Sequence, residues 1–163
     1  MRKGARKSRP ISTDPMEDLL DTWNLTTLTQ LFASDPEALG DVDVHVPPEG
    51  NVLFVTLKEK GDLDVFVTMS GDRDILASVI LAPLKDIPNR PDFEHMVLKT
   101  HKLVPLSSFG ITQIDGEEWY ELFGSLSARS SAETVVEEVA VLAANAVDAA
   151  GMINEWKNGE FAA

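Results

Sequence analysis

His101, Ser107, Ser108 and Asp115 lie in one short stretch and are residue types from which a nucleophilic site could be built. Such a site needs a nucleophile, a base and an oxyanion-stabilising group within hydrogen-bond reach of one another. Neither serine is framed by a Gly-x-Ser-x-Gly elbow. The pair precedes Phe109-Gly110, which reads instead as the start of a strand with hydroxyls engaged in turn hydrogen bonds. No catalytic residue is assigned, and an enzyme or small-molecule site in the His101–Asp115 region stands as the alternative reading.

Metal ligation is no better supported. His95 and His101 are six apart, which on a helix leaves them 240° apart after full turns and on different sides. Asp41, Asp43, Asp62, Asp64, Asp72 and Asp74 form three Asp-x-Asp pairs near strand ends, types that could collect a hard cation. None sits in a loop of EF-hand pattern, and there is no Gly-x-Gly-x-x-Gly or Walker loop for phosphate. Glu117, Glu118 and Glu121 read as an exposed charge run. The expectation is a protein without metal or cofactor.

The aromatic residues are more suggestive. On one strand Trp119, Glu121 and Phe123 share a face while Tyr120 and Leu122 share the other, because side chains alternate. Both faces carry apolar bulk, so one should cover the core and the other needs a helix or a partner surface. Near the C-terminus Val135, Val139, Leu142, Ala146, Ala149, Ile153 and Trp156 recur at alternating spacings of four and three. That seam packs either across the protein's own sheet or against a partner helix or second copy. The candidate protein-binding surface is therefore Trp119, Tyr120, Phe123, Leu142 and Ala146.

The elements that position these residues follow from patterning and turn chemistry. Asp14-Pro15-Met16-Glu17 reads as a helix start. Asn24 reads as an interruption before a helix over 26–33. Val42, Val44 and Val46 alternate with polar residues as a first strand. Val52 to Leu57, Leu63 to Met69 and Ile75 to Leu81 follow, joined by short turns, and should be antiparallel neighbours. Asn89 or Asp92 caps a helix with Phe93, Met96, Val97, Leu98 and His101 toward its apolar side. Leu106 to Ile114 and Glu118 to Leu126 flank Asp115-Gly116, a strong hairpin signal since both residues tolerate positive φ. Ser130-Ser131-Ala132-Glu133 reads as the capping box of the last helix. The order α-β-β-β-β-α-β-β-α predicts an α+β fold with helices packed on an antiparallel sheet.

Length and charge frame this reading. A chain of 163 residues suits a single domain with a real core. It divides into an arm over 1–13, a domain over 14–157 and a tail over 158–163. With no cysteine, disulfides, thiolate metal sites and a Cys nucleophile are excluded. No apolar run is long enough to span a bilayer. No apolar segment of secretory type stands near the N-terminus, so a cytoplasmic address is expected. Arg2, Lys3, Arg6, Lys7 and Arg9 place five of the 14 basic residues in the first ten positions. From Ile11 onward nine Lys/Arg face 27 Asp/Glu, a net charge of −18. A body so acidic repels nucleic acid and anionic lipid, leaving only the arm as a contact for phosphates, and it favours basic partners or solubility alone.

The string Thr100-His101-Lys102-Leu103-Val104-Pro105-Leu106-Ser107-Ser108-Phe109-Gly110-Ile111 resembles the central motif of the YjfI-like family of uncharacterised bacterial proteins. Trp23-Asn24-Leu25, Ala82-Pro83-Leu84 and Tyr120 to Ala128 extend the likeness, from about Trp23 to Ala150. The resemblance implies no established enzymatic activity, so no catalytic residue is carried over. It implies an accessory or regulatory binding role in envelope stress, since such proteins are often encoded beside a phage-shock-protein-A-like membrane-remodelling protein. The element order is also similar to the type III secretion chaperone and YbjN-like fold, whose members bind proteins and often form dimers.

Overall fold

A computed structural model describes residues 22–34, 36–48 and 50–161. The expected helix start at Asp14, the basic arm and the end of the tail lie outside the described residues. Three helices, α1 (Leu25–Phe32), α2 (Arg90–Thr100) and α3 (Ala132–Asn158), accompany six strands, β1 (Val42–His45), β2 (Val52–Leu57), β3 (Leu63–Ser70), β4 (Asp74–Pro83), β5 (Ser108–Ile114) and β6 (Glu117–Ser127). The strands form one sheet in the order β1-β2-β3-β4-β6-β5, every pair antiparallel.

Alternation decides the core. Leu53, Val55, Leu57, Val65, Val67, Ile75, Ala77, Val79 and Leu122 share one face of the sheet and are sealed beneath α1 and α3. Ala82 and Tyr120, on the same face, join Phe93 and Val97 of α2 and Ile153 of α3 in a second cluster. All three helices thus cover the same side. In β4 the register slips between Ile80 and Ala82. This bulge at Leu81 lets Val79 and Ala82 both face the helices, which strict alternation forbids.

Local chemistry explains the ends. Asn24 is the N-cap of α1: its side chain accepts from the Thr27 N–H at 3.0 Å while Thr27 Oγ1 accepts from the Asn24 N–H. The α3 cap sits one residue later than the capping box suggests. Ser131 Oγ accepts from the Thr134 N–H at 3.2 Å, so Thr134 and not Glu133 holds the third helical position. Gly159, at φ 70°, closes α3 in the left-handed conformation that glycine tolerates. Asp115 (φ 50°) and Gly116 (φ 83°) form the β5–β6 turn as their residue types require. Strand β5 begins at Ser108, not Leu106. Leu98 is turned outward and is 75% exposed, because the buried stripe of α2 runs through Phe93 and Val97.

Candidate protein-binding surface

The five residues expected to form a surface separate into two groups. Leu142 and Ala146 are buried in the core cluster against the sheet, so the seam on α3 is intramolecular packing and not an exposed strip. Tyr120 is also buried. Its ring stands edge-on to Phe93 at 5.2 Å and its hydroxyl donates to Glu94 Oε1 at 2.8 Å. Burial and the adjacent Glu94 carboxylate push its phenol up to about 12. These three are corrections: Tyr120 takes the helix side of β6, and the α3 seam meets that side. Trp119 and Phe123 lie on the opposite face and are half-buried.

That face carries no helix among the described residues. Across it the register aligns His45, Phe54, Phe66, Ser78, Phe123 and Ser108 on six successive strands. The Phe54 and Phe66 rings meet edge-to-face at 4.9 Å. Leu76, Ile80 and Trp119 flank this row, and all are half-buried. Gly110 gives Phe123 its seat. A Cβ there would come within 3.0 Å of the ring and 3.2 Å of Glu121 Oε1. Glu121 lies between Trp119 and Phe123, and burial raises its carboxyl above the usual range. Asp43, Asp64, Asp74 and Glu117 lie on the same face toward the strand ends. An aromatic face with acids in and around it suits an apolar partner segment carrying a cation.

A second apolar area was missed by periodicity. Leu98, Leu103, Leu106 and Ile111 are 49–78% exposed, and Ile114 is 38% exposed. Leu98 and Ile111 share the wall of one cleft, Leu103 and Leu106 lie on the connection from α2 to β5, and Ile114 ends β5, a strand bonded on one side only among the described residues. Residues 96–114 hold Lys99 and Lys102 and no acid at all, and β5 itself has no charge. Edge strands are ordinarily guarded by charge, proline or a bulge. This acid-free run in an acidic chain was the available sequence signal. A cleft of ≈ 310 Å³ lies beside it, with Val97, Leu98, Phe109 and Ile111 in its walls and the Tyr120–Glu94 pair at one side.

Among the described residues no side-chain hydrogen bond links His101, Ser107, Ser108 and Asp115. Ser107 is buried and accepts from Asn145 Nδ2 at 2.9 Å, a bond that ties the loop to α3. His101 stands its ring edge-on to Phe109 at 6.4 Å, and its buried Nδ1 has no hydrogen-bond partner among the described residues. Asp115 sits at the hairpin tip, beyond the whole of β5 and roughly 23 Å along the chain from the serine at strand spacing. Asp43 pairs with Lys58 at 2.6 Å and Asp64 accepts from Thr56 at 2.6 Å, so these carboxylates already have partners.

With this geometry in place, relatives are informative. Residues 22–157 match the family described as "Uncharacterized protein conserved in bacteria", DUF2170. The chain belongs to that family. It is 31% identical over 137 residues to the Escherichia coli K12 "Uncharacterized protein YjfI", covering 84% of this chain and 99% of the relative. Among solved structures it is similar to a chain of the ExsC–ExsE complex, with TM-score 0.57 and 15% identity over 80% of this chain and 97% of that one. It is also similar to a chain of the HopA1–SchA chaperone–effector complex, with TM-score 0.51 and 19% identity over 92% and 97%. YbjN from E. coli aligns more loosely, at TM-score 0.48 and 18% identity over 77% and 94%. The fold is that of type III secretion chaperones, as the element order implies.

Proposed function

We propose that this protein is a non-enzymatic accessory protein that holds a segment of another protein on the open face of its sheet. The observation that carries the reading is the aromatic face around Phe54, Phe66, Trp119 and Phe123, which no helix covers among the described residues. The chaperone-type fold supports it, since the HopA1–SchA structure is a chaperone bound to its effector. No helix among the described residues is long and apolar enough to cross a membrane.

The finer reading places the protein in the cytoplasm, acting in envelope stress on a phage-shock-protein-A-like partner. A basic helical coat protein suits a body that carries −18 from Ile11 onward (nine cations against 27 acids). The test is capture of the host's phage-shock-protein-A-like protein by the purified chain at low and high salt, beside Trp119→Ala/Phe123→Ala. Retention at low salt that the double substitution abolishes supports the reading. Equal retention by both chains removes the open face from it, and no retention removes the partner.

A second association is favoured by its own observation. The uncharged β5 edge, with Leu98, Leu103 and Ile111 exposed beside it, suits pairing with β5 of a second copy. Light scattering of the purified chain should give a dimer mass that Ile111→Lys returns to a monomer. A monomer at all concentrations refutes this.

A further inference from the structure

Trp23, at the start of the described residues, lies near a groove whose charge is opposite to that of the chain's first residues. The Trp23 N–H donates to Ala128 O at 2.8 Å and its Nε1–H to Ser130 O at 2.7 Å. Trp23 is thereby anchored next to the first turn of α3. There a groove of ≈ 520 Å³ opens between α3 and the Pro36–Leu39 turn, with Leu31, Pro36, Ala38, Val136 and Ala140 in its walls. Glu37, Glu133 and Glu137 stand on its rim and are exposed. None of the three takes part in a described ion pair, whereas Asp43, Asp62, Glu94 and Glu117 do.

We infer that the basic arm, Met1 to Thr13, docks in this groove of its own chain. Charge selects the occupant. The arm carries Arg2, Lys3, Arg6, Lys7 and Arg9 with no acid, and Pro10 and Ile11 add apolar surface. The aliphatic stems of the arginines and lysines cover apolar walls while their heads meet the glutamates. The other apolar areas fit the arm less well. The α2–β5 edge presents Lys99 and Lys102, and the acid in its cleft, Glu94, already pairs with Arg90 and Tyr120. The open sheet face carries Asp43, Asp64, Asp74, Glu117 and Glu121, but Asp43 and Glu117 pair with Lys58 and Lys85 and Asp64 accepts from Thr56. Reach is ample. The groove follows α3 from Ala132 to Ala140, roughly 12 Å at helical rise. The eight positions 14–21 between the arm and Thr22 can span up to about 26 Å. Tethering on this scale raises the arm's effective concentration to about the millimolar range, so weak pairwise attraction is enough to fill the groove. Exposed pairs of this kind are screened by salt, so docking is strong in dilute buffer and lost near about 1 M salt. This inference is independent of the open-face reading, since the groove and that face are on opposite sides of the sheet.

The chain has no cysteine, so Ser8→Cys offers a single attachment point for a nitroxide on the full-length protein. The expected result is loss of amide NMR signal at Ala38, Ala132 and Ala140, recovered at about 1 M NaCl and in Glu37→Gln/Glu133→Gln/Glu137→Gln. Signal loss centred on Leu98 to Ile114 or on Phe54 and Phe66, or loss that persists in the triple variant, overturns the inference. Deleting residues 2–13 must also shift the amide resonances of the same three alanines. Unshifted resonances overturn it as well, whether or not the triple variant folds.

Discussion

Gly124→Ala should be among the most damaging single-methyl additions to this protein. Gly124 lies on the helix side of β6, directly beneath Glu138 of α3. A Cβ there would sit well inside van der Waals contact with Glu138 Oε1, 3.0 Å from Glu138 Cδ and 3.0 Å from Leu106 O. Glu138 is 7% exposed, so its carboxyl has little room to retreat, and Leu106 O is backbone. Overpacking of this kind costs about 1–3 kcal/mol, and contact with both a buried side chain and backbone places the expected loss at about 2 kcal/mol. An opposing effect must be weighed. Burial, and secondarily the charge of Glu137, raises the Glu138 carboxyl above the usual range, so moving it toward water relieves a penalty at neutral pH. The two effects separate with pH. A raised folded-state value means stability is fully present below the unfolded carboxyl range and is lost as pH rises through the folded value. Urea denaturation of the parent, Gly124→Ala, Glu138→Ala and the double variant across that range forms a cycle. The expected coupling is favourable by at least about 1 kcal/mol at neutral pH, with a flatter pH dependence in every variant that displaces or removes the carboxyl. Additive losses, or a pH profile unchanged by Glu138→Ala, would refute the claim that Gly124 exists to seat this side chain.

Other outcomes are equally direct. Leu142→Ala should cost about 3 kcal/mol by creating a cavity in the intramolecular core, read by thermal or urea unfolding. A change in oligomer mass with stability intact would return the α3 seam to an interface role. Trp119→Ala should cost little stability, under about 1 kcal/mol, because the side chain is only half-buried, and a loss like that of Leu142→Ala would show that the open face is covered by the chain itself. Tyr120 is the single tyrosine, so absorbance near the tyrosinate band reports it alone and should titrate near about 12. Stability should fall as pH rises from the ordinary tyrosine value through that point, and Tyr120→Phe should remove this dependence while costing about 1 kcal/mol at neutral pH.

Much of the fold was legible because its signals are local. Val42 to Leu57 alternate, Asp115-Gly116 demands a tight turn, and the spacing from Val135 to Ile153 traces a buried stripe. What could not be read were decisions made across the sheet. Trp119 and Tyr120 are adjacent apolar residues on opposite faces, and nothing in the strand says which face the helices take. The bulge at Leu81 is likewise invisible, because it answers to the pairing of β4 with a strand almost forty positions later. The α3 seam was visible as a stripe, yet a stripe cannot say whose surface it meets. Ser130 and Ser131 are chemically equivalent caps, and the choice depends on where β6 releases the chain: the Ala128 N–H donates to Arg73 O and the Ser130 N–H to Ser127 O.

The surfaces themselves are sorted by charge more than by apolar content. Three apolar areas remain partly open: the aromatic sheet face, the β5 edge and the groove beside α3. By burial alone they are interchangeable, since each would gain from any apolar occupant at ~25 cal/mol per Å². Their charges differ sharply. The β5 edge lies in a run of nineteen positions, 96–114, that holds two lysines and no acid, within a body whose net charge is −18. Two copies can approach there with less of the repulsion that opposes contact elsewhere on their surfaces. The groove carries three glutamates without an ion pair among the described residues and disfavours acidic segments, which suits the basic arm proposed for it. The sheet face has Glu121 among its aromatic rings and further acids toward its margins, of which Asp43 and Glu117 are paired with lysines, so it suits an apolar segment bearing a cation. On these proposals the arm, a second copy and a partner would each take a different surface, so none would compete with another.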